Sequence, residues 1–554
     1  MMRKLSLTLL SLLALSALSI GGLKAVGGTT PVWPAVENQL ARDHVLPGTA
    51  LEKLIRANQD FSLLRPEEAN DKLIIPLWLR VNWRQAHPEG TFTADDPTGG
   101  YPLVLREVAE WMVHHQNLEA PPDAFDVPTG RAATVGANLR ISGAQTSPRS
   151  ESAITINVNN PSQILAASNA IVASGKQAIF FSSNGGATWG QSSLSPFFTG
   201  DAFHSDPTAD WTSDGAAWSM TIGINKSGTK LHMRSYKSTN GGSTWATDAT
   251  FSGSQTSTDK EMLWVDHSTT SAFKDNLYAC WHNGNPGFVN RRTAAGWATM
   301  IQVTGAESTG TAIGCDIKTN SAGDVFTFWP TTGNRRIVVA KSTNGGVSWG
   351  AGTVIATTFD SFDIGVPSFA SRRAFIYVSA GTFKNATTNN VYASWLDLTG
   401  ATGCNTAANE PGTNAASTCK TRIWFSRSTD GGTTWSAPVM INNQASLNDQ
   451  FNHWLAVDSN TGRIGLMYYD TVGDATRKKT NVWYQSSGDG GVTWSAPLQV
   501  TTAQTDETIA GADSGNQYGD YNGLTGFLGN FFPSWTDRRN NAKEEIWTAP
   551  IVDP

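Results

Sequence analysis

Charged residues are scarce in this chain, at 16 % of 554 positions, and no cluster of Lys or Arg stands out among the 40 that occur against 46 Asp and Glu. A formal charge of −6 is small for this length. Nucleic acid, which needs a basic face to release counterions from phosphates, is therefore excluded as the expected partner. Only four cysteines are present, and neither sequential pair has zinc-finger spacing. Beyond residue 25 no apolar run is long enough to cross a membrane as a helix, and no Cys follows the first apolar run to carry a lipid. Glycine and tryptophan, by contrast, are abundant, at 53 and 21. Low charge with many Gly and Trp suits a large all-β protein.

The first segment reads as a secretory signal. Arg3 and Lys4 precede the apolar run Leu5 to Ile20, which is short for a membrane span, and cleavage is expected near Ala25. Residues 1–25 are thus expected to direct export, to the medium, the periplasm or the cell envelope. In an exported chain an even cysteine count permits disulfides. Cys404 and Cys419 flank a polar loop whose closure would stabilise the fold by roughly 3 kcal/mol in the chain-entropy treatment. Cys280 and Cys315 either bridge neighbouring units or remain two buried thiols.

Residues 26–130 differ from the rest. Leu51 to Phe61 and Leu103 to His115 place apolar residues at helical spacing, the stretch between them contains the apolar segment Ile74 to Trp83, and the prolines at 121, 122 and 128 mark a linker. A small mixed or helical N-terminal region of unknown role is expected there.

From residue 131 onward one phrase recurs five times: Ser182-Ser-Asn184-Gly-Gly-Ala-Thr188-Trp189, with counterparts beginning at Ser238, Ser342, Ser428 and Ser487. The Asn or Asp side chain can accept bonds from backbone N–H groups just ahead of it, and the paired glycines supply the positive φ of a tight hairpin. Repetition at about fifty residues marks stacked supersecondary units, none of which can bury both faces alone. Each unit begins on a polar, often acidic strand head and continues through a strand of alternating apolar and polar residues that ends in an aromatic. Seven units are favoured over six, with Asn138 to Ser142 free to complete the last, so the expected fold is an all-β propeller over 131–554.

These repeats resemble the Asp-box, or BNR repeat, of the sialidase superfamily. The resemblance implies that the boxes lie on turns remote from any active site, and that chemistry sits where the strand heads meet. Glu151, Asp206, Asp259 and Asp520 are heads of this kind. They could serve as general acid and base, coordinate a hard cation, or cap turns. A sialidase also needs arginines that fork onto the substrate carboxylate, and a tyrosine nucleophile. Arg149, Arg372 or Arg373, and Arg422 are the arginines carried over, with Tyr518 or Tyr521 as nucleophile, although the only trace of the family's arginine motif is Leu139-Arg140-Ile141-Ser142. The resemblance implies a monomer that acts on a glycan or polysaccharide and uses no cofactor or metal. Three activities stay open: a glycoside hydrolase releasing terminal acidic sugars, a non-catalytic polysaccharide- or protein-binding propeller, and a polysaccharide lyase.

Overall fold

A computed structural model describes residues 133–553 apart from 173, 174, 306, 308–310 and 540–542. The signal segment, the N-terminal region with its two expected helices, and the proline linker lie outside the described residues. Seven antiparallel sheets of at least four strands follow one another along the chain; in five the strands pair strictly in sequence order, the third branches at Gly287–Thr293, and the last takes in strands from the start of the domain. Their inner strands are Arg149–Ile156, Asp201–Trp211, Thr258–Val265, Asp316–Thr319, Val378–Lys384, Gln450–Val457 and Gly523–Phe527. They define blades 1 to 7 of a β-propeller.

The ring closes with a segment from the far end of the domain. Leu139–Arg140 pairs with Glu545–Thr548 in blade 7, and Thr134–Val135 pairs with Ile551–Val552, so both ends of the domain share one sheet. Closure of this kind leaves no sheet edge open at the junction.

The expected alternation of apolar and polar residues is not what the second strands show. Val325–Pro330 and Ile464–Asp470 are buried at every position, because each blade is covered on both faces by its neighbours. Trp281, Trp329, Trp395 and Trp535 all sit in second strands and are all fully buried. Each such side chain removes some 150–250 Å² from water, the largest apolar contribution a residue can make.

The five boxes form the same hairpin. In the first, Ser182 Oγ accepts the Gly186 N–H at 2.9 Å and donates to Asn184 Oδ1, which in turn accepts the Thr188 N–H at 2.9 Å. The counterparts at Ser238, Ser342, Ser428 and Ser487 accept from Gly242, Gly346, Gly432 and Gly491 at 2.8–3.0 Å. The second glycine of each box lies against a side chain of the preceding blade: Phe532, Leu165, Tyr278, Phe326 and Phe425 in turn. These glycines combine positive φ with a contact that leaves little or no room for a Cβ.

Both cysteine pairs are disulfides, Cys280–Cys315 and Cys404–Cys419, which decides the alternative left open for the first pair. The second closes an insert of blade 5 that includes the short helical turn Ala407–Asn409. Pro367 to Arg373 forms a loop ahead of the fifth inner strand, closed by the pairing of Asp363–Ile364 with Ala374–Phe375. No helix among the described residues is long and apolar enough to span a membrane.

Candidate active site

Four inner strands are broken near their heads by the same irregularity. The register slips between Ser150 and Ala153, Ser205 and Thr208, Asp259 and Met262, and Phe451 and Trp454. At each slip one residue with a side chain takes a left-handed backbone: Glu151 at φ 57°, Asp206 at 55°, Lys260 at 47° and Asn452 at 44°. A bulge of this kind re-aims a side chain, and a left-handed non-glycine residue costs on the order of 1–2 kcal/mol. The fold tolerates that cost four times, in blades 1, 2, 3 and 6, at the mouth of the central channel. Strain repeated at one level of one channel is the sort of outlier from which function is inferred.

Three of the expected heads are drawn together there. Asn169 Nδ2 donates to Glu151 Oε2 at 2.6 Å, and its Oδ1 accepts the Asp206 N–H at 2.9 Å. The Glu151 and Asp206 carboxyl groups are themselves in hydrogen-bond contact. Burial, then the charge of Asp206 and that hydrogen bond, push the Glu151 carboxyl well above the ordinary carboxyl range, against the opposing pull of Arg372 and Lys260. Asp259 stands exposed but inside the concave mouth, where the surrounding protein and the charge of Asp206 push its carboxyl up to about 7.

Arg372 and Asp520, the other two converging residues, form an ion pair. The Arg372 guanidinium also donates to the Gly515 carbonyl at 2.8 Å, and its backbone N–H to Gln517 Oε1 at 2.9 Å. Its charge is felt by both Glu151 and Asp259. Gly519, just before Asp520, packs so closely on the Glu151 backbone that a Cβ would lie 2.6 Å from its nitrogen.

Two of the expected catalytic residues lie elsewhere. Tyr518 is fully buried among Phe369, Phe451 and Tyr469, with its hydroxyl 3.4 Å from both Thr480 Oγ1 and the Lys478 carbonyl. Arg149 turns its guanidinium onto Ser147 Oγ and the Pro148 carbonyl of its own loop. Three arginines do not converge. Arg373 pairs with Asp363 and Glu410, and Arg422 is buried against backbone carbonyls and Asn448. Asp449, another acidic head, forms a fully buried pair with Arg477.

Of the residues that complete the mouth, Tyr521 is the alternative nucleophile candidate, whereas Tyr377 and Lys260 carry no role from the sequence. Tyr377 and Tyr521 sit among the acids, and both phenols are pushed well above their ordinary range by burial and by the neighbouring carboxylates. Lys260, wholly buried, places its ammonium 3.3 Å from the centre of the Tyr521 ring and 5.7 Å from that of Trp454. Burial lowers its pKa in spite of Asp206, Glu261, Glu151 and Asp316 around it. A lone Lys between Asp259 and Glu261 carries no sequence signal that would distinguish it from a surface charge run.

Beside this cluster a cleft of about 380 Å³ opens between blades 1 and 2, lined by Asn169, Val172, Phe203, His204, Ser205 and Asn516. Asn169 thus belongs both to the cleft and to the carboxyl pair. Among the described residues no group of three or more His, Cys, Asp or Glu is arranged to hold a metal ion.

Five boxes with one bonding pattern, on a ring of seven sheets, decide the architecture. The chain is a seven-bladed β-propeller. This agrees with the sialidase-superfamily resemblance that the boxes carry. No protein-family description matches the sequence of the propeller, and no curated protein does either. Among solved structures, a protein of unknown function from Dyadobacter fermentans is 12 % identical over 76 % of this chain and 100 % of its own, with a TM-score of 0.41. AofleA from Arthrobotrys oligospora is 12 % identical over 67 % and 91 %, at 0.38, and an intramolecular trans-sialidase from Ruminococcus gnavus 13 % identical over 74 % and 96 %, at 0.37. Likenesses this distant carry no argument about the propeller's ligand or reaction, which rests on the site itself.

Proposed function

We propose that the propeller is a glycoside hydrolase that removes terminal acidic sugars from glycans at the mouth of its channel. The observation that carries the reading is the buried Glu151–Asp206 carboxyl pair, faced by Arg372 and Asp259. Glycosidases that use two separate carboxyl groups hold them about 5–9.5 Å apart. Two in hydrogen-bond contact instead share a proton and act as one acid unit, because both cannot ionise at that distance. The shared proton would go to the glycosidic oxygen as the bond to the leaving group breaks. Asp259 would take a proton from the attacking water, a task suited to a carboxylate poised near neutrality. Arg372 would exchange Asp520 for the substrate's carboxylate, one forked donor for another.

In this reading Tyr377 and Tyr521 shape the wall of the site. Export is supported by the expected signal segment and by two formed disulfides, which persist in oxidising compartments. The enzyme is proposed to act as a monomer.

Turnover of fluorogenic sialosides and uronides by the full chain, compared with Glu151→Gln, Asp206→Asn and Arg372→Met, tests the proposal. Activity lost in the first two variants and KM raised in the third would support it. Turnover undiminished in Glu151→Gln would end it. A second reading, binding without turnover, is favoured by the closed Arg372–Asp520 pair. Glycan-array binding that survives Glu151→Gln but not Arg372→Met, with no hydrolysis, would establish that reading instead.

A further inference from the structure

The channel continues beneath Lys260. Met262, Trp454 and Tyr521, which surround the Lys260 ammonium, also line a cavity of about 470 Å³. Lys260 and its aromatic neighbours therefore stand between this cavity and the mouth. The cavity opens at the opposite end of the propeller, between loops such as those at Asn159, Ser268 and Asn460. That end also carries the Asp-boxes: the Gly185 N–H of the first box donates to the Ser162 carbonyl in the loop that joins the first two strands of blade 1. Nothing in the proposed hydrolysis uses this space.

Its wall is built for a ligand. Asp210 Oδ1 accepts from Thr155 Oγ1 at 3.1 Å and from the Trp211 N–H at 2.9 Å, while Oδ2 accepts the Val265 N–H at 2.7 Å. His267 Nε2 lies 2.9 Å from the same Oδ1, and a carboxylate in that network assigns the proton to Nε2. The other ring nitrogen, Nδ1, has no hydrogen bond to any described residue. Burial alone would lower the pKa of His267, but Asp210, followed by Asp266 and Asp275, raises it above the ordinary imidazole range. Across the wall Lys318 is held by Asp316 and packs its ammonium 4.7 Å from the Trp264 ring, which His267 also approaches at 5.1 Å. Cations on an aromatic floor, with threonine hydroxyls from neighbouring inner strands, match a ring that bears hydroxyls and one negative charge. The volume lies within the usual range of small-ligand sites, about 300–1,000 Å³.

We infer that this cavity is a second ligand site, separate from the mouth, for a sugar acid of monosaccharide size, with its carboxylate against His267 and Lys318 and its ring over Trp264. The inference stands independently of hydrolysis at the mouth.

Calorimetric titration of the full chain with D-glucuronate and with D-glucose tests it. Glucuronate should bind, and glucose should bind roughly tenfold more weakly or worse for want of the charge-assisted bonds. His267→Gln keeps an amide donor for Asp210 but loses the charge and the ring, and should weaken glucuronate by roughly tenfold or more. Arg372→Met acts at the mouth and should leave the His267-dependent part of the binding unchanged. Should His267→Gln fail to fold, a crystal structure of the unaltered protein with glucuronate answers the same question, with the sugar expected over Trp264. The inference is overturned if glucuronate does not bind, if glucose binds equally well, if the sugar is found only at the mouth, or if Arg372→Met abolishes binding that His267→Gln retains.

Discussion

The box hairpins and the strand heads occupy opposite ends of the same blades, and both recur around the ring, yet they recur differently. In the boxes backbone and side chains repeat together: the same Ser, the same Asn or Asp, the same two glycines, with bonds that close within one turn. Asp430 shows the outcome. Slight burial raises its pKa, but bonds from Thr434, Ser428 and the backbone outweigh this and hold the carboxylate at about 2. At the heads only the backbone repeats. The bulge recurs in four blades, while its side chain is Glu, Asp, Lys and Asn in turn, and the carboxyls of Glu151 and Asp259 are driven up rather than down. Where side chains repeat with the fold they serve the fold. Where a repeated and strained backbone presents different side chains, those side chains are free to take separate chemical tasks.

The largest effect that could break this contrast concerns turnover. Glu151→Gln should lower kcat/KM by about 10²–10⁴, the usual contribution of an acid–base group, whereas Ser428→Ala should leave it unchanged. Stopped assays on one fluorogenic glycoside compare the two directly, and a box variant that lost turnover would erase the distinction.

Stability should show the opposite ranking. Gly491→Ala combines left-handed strain with a collision against the Phe425 ring, and is expected to cost about 2–4 kcal/mol in urea unfolding. Gly185→Ala faces open space and should cost only the strain, about 1 kcal/mol. Equal losses would mean that contact between blades contributes little.

Glu261 sharpens the comparison through pH. It is fully buried with neither carboxyl oxygen hydrogen-bonded, and burial followed by the charge of Asp206 raises its pKa. Its protonated form favours the fold, so the stability it contributes is complete below the ordinary carboxyl pKa and is lost as pH rises through the folded value. Glu261→Gln should flatten that decline and stabilise the protein by about 1–3 kcal/mol at pH 8. His204 and His453 act at the other end of the scale. Burial lowers them to about 3 and about 4, so their contribution is present above the ordinary histidine pKa and is lost as pH falls. Thermal midpoints measured from pH 4 to 9 would separate the two slopes.

The smallest expected effect is that of Ser428→Ala on stability. It removes the hydroxyl that accepts the Gly432 N–H and should cost about 1 kcal/mol, read from the same urea curves.

The boxes, the closing strand near Leu139 and the count of blades could be read from the sequence, because each depends on bonds or patterns within a few residues. Five of the seven residues put forward for catalysis converge, and four of them, Glu151, Asp206, Asp259 and Asp520, were found because acidic strand heads can be recognised locally. Tyr518 and Tyr521 mark where local patterns stop being informative. Both flank the left-handed turn at Gly519, and one side chain enters an aromatic cluster while the other faces the acids. No local pattern distinguishes them. The bulges were equally invisible, because a register slip is a relation between two strands.

By itself, then, the sequence determined the ring and the orientation of its hairpins, whose hydrogen bonds are local. Only the tertiary structure decided which charges meet. Arg372 and Asp520 are 148 positions apart, and Thr155 and Asp210 are 55 apart. The proton affinities of Glu151, Asp259 and His267 follow from the protein that surrounds them and from neighbours on other blades, and those exist only once the ring has closed.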